Sequence, residues 1–586
     1  MKIGYASSPY ISNTTGDIFF KTAMSGISQM YRLTVEGWPY QLTIFDDGIE
    51  WYDVSPGGHK AIVGASIGGN EDAQLYLLDI GTGRISQLTN DEKVRYGTIF
   101  WRQDESGLFY TSNVENKRDF KIYSHSLTTG ERTLIFDKEG NNAISDVSGD
   151  GTLMLVRHLV SNYASQIYLV NLLTGENRMI ASGGEETIYD YPVMMPDKRT
   201  VYLISNDNPE GILKLARFDI ETGALEFIDP DSPWPVDYLE FSPDRRYMAW
   251  LINENGYMRL RLRDMILRQP VQSPPMDGII QSPVLTDDGK VIFQFNSPTQ
   301  APDIWLWNWR EPELTKVTHS INAGIDMGLF VEPELIKYKS FDGLEIPAFL
   351  YLPPDYDGSP IPFIIHVHGG PESQFQPFFQ RHFNYLLLNG YGILAPNIRG
   401  SSGYGKEYLN LDNYKNRINS IRDIKAGVDY LIEKNYTSRG QIGIKGASYG
   451  GYVVLASIAE YPDLFSAAID QVGIANFVTF LENTRSYRRN LREAEYGPLD
   501  DTGFLESISP IHRASRIKTP LLVIHGENDP RVPIDEARQI INAVNESGGI
   551  ADSLIFPDEG HGVGKLENRL TLYRKMVEFF DKYLKR

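Results

Sequence analysis

Residues 446–450 read Gly-Ala-Ser-Tyr-Gly, a single serine held between two glycines. Before it, Ile442 and Ile444 alternate in a β-branched run that reads as a buried strand. After it, the small and apolar residues Gly450, Gly451, Val453, Leu455 and Ala456 suit a helix that starts at Tyr449. Ser448 therefore stands on the turn from strand to helix. The glycines flank it because such a turn is tight and brings two backbones close together. A hydroxyl displayed in this way, with the first N–H groups of a helix behind it, is equipped to attack a carbonyl carbon and to stabilise the resulting oxyanion.

A serine nucleophile needs a base, and the base needs an acid to orient it. Two later segments supply them in the chain order of α/β-hydrolases, Ser, Asp, His. The apolar run 521–525 leads into Gly526-Glu-Asn-Asp-Pro-Arg-Val-Pro533, which puts Asp529 on a loop at a strand's carboxyl end, where parallel sheets meet ligands. The run Leu554-Ile-Phe556 leads into Pro557-Asp-Glu-Gly-His-Gly562, with His561 between two glycines. His525 lies within its strand and His512 on an earlier segment, so both are worse placed as base. Glu527, Asp558 and Glu559 are the rivals of Asp529. Past another apolar strand comes His368-Gly-Gly-Pro371, in the position of the second oxyanion donor. Gly369, or Gly370, offers one N–H and Tyr449 the other. His366 and His368 share a strand face, but no third ligand accompanies them, so no metal site is expected. Nothing in the pattern calls for a cofactor.

From residue 326 to 586 strands and helices alternate: strands near 362–368, 391–396, 441–445, 465–471, 520–525 and 553–556, helices near 378–388, 418–434, 449–459, 533–545 and 566–584. This calls for a mostly parallel sheet covered on both faces. Ahead of it, residues 335–352 read as two strands about the turn Asp342-Gly343, the second an exposed strand fit for an edge or a dimer contact. The insertion 474–509 carries Phe477, Phe480, Leu481 and Tyr496, which suit the core of a helical cap or the wall of an apolar pocket.

Residues 1–325 are different in kind. A strand ending in a Thr-Gly or similar turn recurs at Glu36-Gly37, Thr82-Gly83, Thr129-Gly130, Thr174-Gly175 and Thr222-Gly223, at spacings of 46, 47, 45 and 48 residues. A second hairpin signal falls between them, at Ser55-Pro56-Gly57, Gln103-Asp104, Ser148 to Gly151, Pro196-Asp197, Ser242-Pro243-Asp244 and Thr286 to Gly289. Two turn signals per period of this length describe four-stranded propeller blades, seven in number when the weaker strands near 258–262 and 303–307 are counted. The fold class is thus an N-terminal β-propeller followed by a C-terminal α/β-hydrolase domain. Histidines 59, 125, 158 and 319 are scattered over different blades, and the pair Glu185-Glu186 reads as a solvated turn.

A net charge of −20 argues against nucleic acid or an anionic membrane as partner, and the absence of cysteine excludes disulfides and thiolate chemistry. The opening Met1-Lys-Ile-Gly shows no apolar leader, and the chain reads as cytosolic.

The motifs together resemble the prolyl oligopeptidase family of serine peptidases, over nearly the whole chain, and within it the acylaminoacyl-peptidase branch. They are His368-Gly-Gly-Pro, Asn397 to Gly405, Gly446-Ala-Ser-Tyr-Gly-Gly451, His525 to Pro533 and Glu559-Gly-His561. The resemblance implies that Ser448, Asp529 and His561 form a triad and that Arg531 hydrogen-bonds a carbonyl of the bound peptide. It also implies a tyrosine beside the oxyanion hole in the prolyl oligopeptidase and dipeptidyl peptidase branches, where this chain has His368. The expected activity is cleavage of small peptides through an acyl-enzyme, releasing N-acylated residues from blocked N-termini. A broad oligopeptidase, a dipeptidyl or prolyl-type peptidase, an aminopeptidase, and an esterase or small-amide hydrolase share the same triad. A non-enzymatic binding role is disfavoured by the intact set of catalytic residues. A homo-oligomer is compatible with this reading.

Overall fold

A computed structural model of the chain describes residues 2–34 and 36–585; Met1 and Arg586, the outer ends of the two expected domain ranges, lie outside it, as does Val35. The N-terminal part forms seven blades of four antiparallel strands, spanning 6–41, 51–87, 96–136, 141–182, 189–227, 236–271 and 279–316. The Thr-Gly turns join the third and fourth strands of a blade, and their glycines hold positive φ, from 71° at Gly83 to 82° at Gly37. Only glycine takes that conformation without strain, and this is why the repeat is so legible. The second signal joins the first and second strands. The sixth and seventh blades touch through one parallel bridge, Met258 to Ile279. Among the described residues no strand crosses from the last blade to the first. The ring closes on apolar contact of Ala6, Ile11, Phe20 and Tyr31 with Ile292 and Ile304, and on a bond from Gly4 N–H to Ile321 O (2.6 Å).

The C-terminal part is one sheet of eight strands: β1 Glu334–Lys339, β2 Glu345–Tyr351, β3 Phe363–Val367, β4 Gly392–Pro396, β5 Ile442–Ala447, β6 Ala467–Gln471, β7 Leu521–Gly526 and β8 Ala551–Phe556. Their order is β1-β2-β4-β3-β5-β6-β7-β8, antiparallel at the β1 end and parallel from β4 onward. The exposed strand expected at 345–352 is instead interior. β2 is paired on both sides and buried beyond Glu345, because β1 takes the edge.

Helices α1 Arg381–Leu387, α2 Ile418–Glu433, α3 Tyr449–Glu460, α4 Phe477–Asn483, α5 Ser486–Tyr496, α6 Thr502–Ile508, α7 Ile534–Glu546 and α8 Leu566–Leu584 cover the sheet. One face packs on α2, α3 and α7 through Ile424, Val428, Val453 and Ile540. The other packs on α1 and α8 through Phe383, Met576 and Phe580. Nearly every residue of α3 is buried, so its position, and that of the turn before it, is fixed from all sides. Among the described residues no helix is long and apolar enough to cross a membrane.

Candidate active site

Ser448 lies at φ 59°, ψ −122°, on the turn between β5 and α3. Its two glycines are there for space: a Cβ on Gly446 would stand 2.2 Å from Gly450 O, and one on Gly450 would stand 2.3 Å from Val367 O. The Ser448 N–H is used by Gln471 O (2.9 Å), whereas its hydroxyl makes no hydrogen bond among the described residues. Gly369 runs alongside, close enough that a Cβ there would come within 3.4 Å of Ser448 Cβ. The N–H groups of Gly369 and Tyr449 are unpartnered within the described residues, which leaves two donors beside the serine. Gly370 N–H is likewise unpartnered among the described residues, but its surroundings are Glu372 and Ser373 rather than Ser448.

The ring of Tyr449 is a deep anchor. Its hydroxyl donates to Asp412 Oδ2 (2.9 Å) and meets Ser420 Oγ at 3.0 Å. The guanidinium of Arg417, paired with Asp412, lies 5.1 Å from the Tyr449 ring and 5.0 Å from that of Tyr496. Tyr496 in turn donates to Gly370 O at 3.4 Å. Phe477, Phe480, Leu481 and Tyr496 are all closed core with no free face, so the cap reading describes them and the pocket reading does not. His368 bonds Gly369 O through Nδ1 (2.7 Å) and meets Ser401 Oγ through Nε2 (2.9 Å). Burial holds its imidazole below the usual value. Nδ1 is tied to its own loop and Nε2 to the loop after β4, so the ring has no donor left for an oxyanion.

His561 presents Nδ1 to Asp529 Oδ2 at 2.7 Å, leaving Nε2 unpartnered among the described residues. Asp529 Oδ1 accepts the N–H groups of Arg531 (2.8 Å) and Val532 (3.0 Å). Burial alone would push this carboxyl up; the bond from His561, its charge and the loop N–H group override that and hold it below the ordinary carboxylate value. The other candidates are engaged elsewhere. His525 Nε2 bonds Val532 O (2.9 Å), Asp558 pairs with Lys565 (2.9 Å), and Glu527 pairs with Arg538. Glu559 accepts the N–H groups of Gly564 and Lys565, each at 2.9 Å.

The propeller closes this site with one loop of its second blade. Gly68 O accepts Asn528 Nδ2 (2.9 Å), and Gly69 lies so close to Gly560 that a Cβ on it would stand 2.4 Å from Gly560 N. Glu71 receives Arg531 Nε (2.6 Å), Arg95 (3.2 Å) and Arg488 (3.5 Å), while Asp72 pairs with Arg485. Arg531, on the acid loop, thus has a propeller carboxylate on its Nε. These contacts escaped sequence reasoning, and the one local sign was the pair Gly68-Gly69 inside a strand-to-strand loop. Elsewhere between the two domains, Glu186 of the propeller pairs with Lys406 (2.5 Å).

Behind the elbow, burial pushes the carboxyls of Asp470 and Glu536 up to about 7 each. The folded state therefore keeps protons that the unfolded chain releases in the ordinary carboxylate range. Their stabilising contribution is complete below about pH 4 and is lost as pH rises toward 7. Thermal melts of Asp470→Asn at pH 5 and pH 8 should show a flatter decline than wild type; an unchanged slope would remove Asp470 as its source.

Comparison with known proteins matches residues 377–586 to the sequence model of the prolyl oligopeptidase family and residues 48–229 to that of the prolyl oligopeptidase N-terminal beta-propeller domain. Dipeptidyl aminopeptidase BIII of Pseudoxanthomonas mexicana is 25% identical over 529 residues, 86% of this chain and 75% of that protein. Among solved structures, a puromycin-hydrolyzing peptidase of Mycobacterium tuberculosis superposes with a TM-score of 0.88 at 18% identity, covering 99% of this chain and 94% of that one. The acylaminoacyl peptidase of Pyrococcus horikoshii superposes with a TM-score of 0.75 at 21% identity, covering 100% and 96%.

Proposed function

The chain belongs to the prolyl oligopeptidase family of serine peptidases, and from that premise we propose that it releases N-acylated residues from the blocked N-termini of short peptides. His561 takes the Ser448 proton as the hydroxyl attacks the scissile carbonyl. The same imidazole then delivers it to the departing amine, and a water repeats the cycle on the acyl-enzyme. Asp529 keeps the proton on Nδ1. The N–H groups of Gly369 and Tyr449 receive the oxyanion.

The observation that carries the acyl preference is the state of two propeller acids that face the hydrolase domain. Glu71 is shared by three arginines and Glu186 is taken by Lys406. A free ammonium finds no unpaired partner in either. Arg531, by contrast, spends only Nε on Glu71, and its two terminal nitrogens stay available to an acyl carbonyl. Loss of such a charged hydrogen bond costs roughly tenfold to a hundredfold. Arg531→Ala should therefore lower kcat/KM on acetyl-amino acid anilides by that factor, mainly through KM, and affect free-amino anilides less. Equal losses on both would disconnect Arg531 from the acyl group.

The second reading, release of residues bearing a free amine, is favoured by the aminopeptidase among the relatives and by the better superposition on the puromycin-hydrolyzing enzyme. Matched acetylated, free-amino and proline-containing anilides and esters separate the two. A preference for acetylated amides supports the first reading, a reversed preference supports the second, and turnover of esters alone removes both.

A further inference from the structure

The sheet face opposite α3 holds three basic side chains that the catalytic reading does not use. His366 and Lys445 are register partners on β3 and β5, and the ring of His382, on α1, lies 5.6 Å from that of His366. Aromatic rings wall them in: Phe383 is 4.8 Å from His366 and 4.9 Å from His382, and Tyr573 of α8 is 6.2 Å from His382. Lys445 is 5% exposed and makes no hydrogen bond or ion pair among the described residues. Nδ1 of His366 and Nε2 of His382 are buried and equally unpartnered.

The charges that act on this cluster are its own and, at His366, a smaller one from His368. Burial pushes the Lys445 ammonium down to about 8, with no opposing carboxylate. Both imidazoles are held well below their usual value, by burial first and then by Lys445. An uncompensated ammonium held beside two imidazoles, each with a buried and unpartnered ring nitrogen, is costly, and an unbranched apolar side chain in place of Lys445 would avoid most of the cost. Water would satisfy the donors but would leave the cation uncompensated. A small anion does both.

We propose that His366, His382 and Lys445 form a binding site for a small monovalent anion of the halide class. His366 stands three residues before Gly369, and Lys445 three before Ser448. The bound anion therefore ties together, from beneath, the two strands whose ends carry the oxyanion glycine and the serine. Its effect is to raise the stability of this corner of the sheet and to hold the two ends in register.

Bromide is the probe. In wild-type protein at constant ionic strength, exchanging gluconate for bromide should raise Tm saturably, by about 2 °C at saturation. Lys445→Met should fold cooperatively and lose the response. A crystal of the wild-type protein in bromide should show one anomalous peak among the three side chains, a readout that stands even if the variant fails to fold. The proposal is overturned by water at that position, by an equal Tm response in Lys445→Met, or by a peak without a saturable Tm response, which marks an adventitious ion only.

Discussion

Ser448→Ala should lower kcat/KM by roughly 10⁴-fold to 10⁶-fold while leaving the melting temperature at or slightly above that of the wild type. The two halves of this expectation come from the same local facts. The hydroxyl makes no hydrogen bond among the described residues, so its removal orphans nothing. The backbone strain at φ 59° is carried by Gly446 and Gly450 and by the packing of α3, none of which the substitution touches. What remains active in the variant is substrate binding and two N–H donors, which retain some rate over water without any acyl-enzyme. Wild-type protein should take up one fluorophosphonate per chain and the variant none. Activity within tenfold of wild type would remove Ser448 from the chemistry, and labelling elsewhere would say where to look.

Asp529→Asn should cost about 10⁴-fold with little change in fold. The loop decides which way the new amide faces. Oδ1 of Asp529 accepts two N–H groups, from Arg531 and Val532, so an asparagine places its carbonyl oxygen there and turns its NH₂ toward His561 Nδ1. That nitrogen must then accept rather than donate. The imidazole proton moves to Nε2, the atom that has to receive the serine proton, and the base is switched off by tautomer rather than by displacement. Asp558→Asn and Glu559→Gln should each leave kcat within a few fold. If one of them matched the loss at Asp529, the orienting role would pass to it.

Much of this was legible because it is local. A tight turn shows itself by its glycines, and the two turn signals of the propeller repeat with a period that a sandwich would not keep. The candidates Ser448, Asp529 and His561 stood out because each sits just past an apolar strand, at the carboxyl edge of the sheet. The seventh blade was visible only faintly, since its strands are bounded by turns other than Thr-Gly. Three things were not legible. The second-blade loop reaches partners about 460 residues away, Gly68 to Asn528 and Glu71 to Arg531, and no pattern of neighbours encodes a contact of that kind. The place of Arg417, fully buried and stacked against Tyr496, could not be read, since periodicity expects no cation deep in a core. The interior place of β2 depends on which strand takes the edge, and two adjacent strands of similar character leave that open.

The meeting of Gly69 with Gly560 bears on timing. Backbone lies against backbone there, one residue from His561, and the same propeller loop supports Asn528 beside Asp529 and supplies the counter-ion of Arg531. Parting the two domains would withdraw all three supports together. An open molecule would then be able to admit a peptide and yet be unready to cut it, because the loops bearing its acid and its base would have lost their outer wall. Turnover in such an enzyme has a duty cycle: the fraction of time spent closed multiplies the intrinsic rate, and anything that lengthens the open phase lowers output even when the chemical step is untouched.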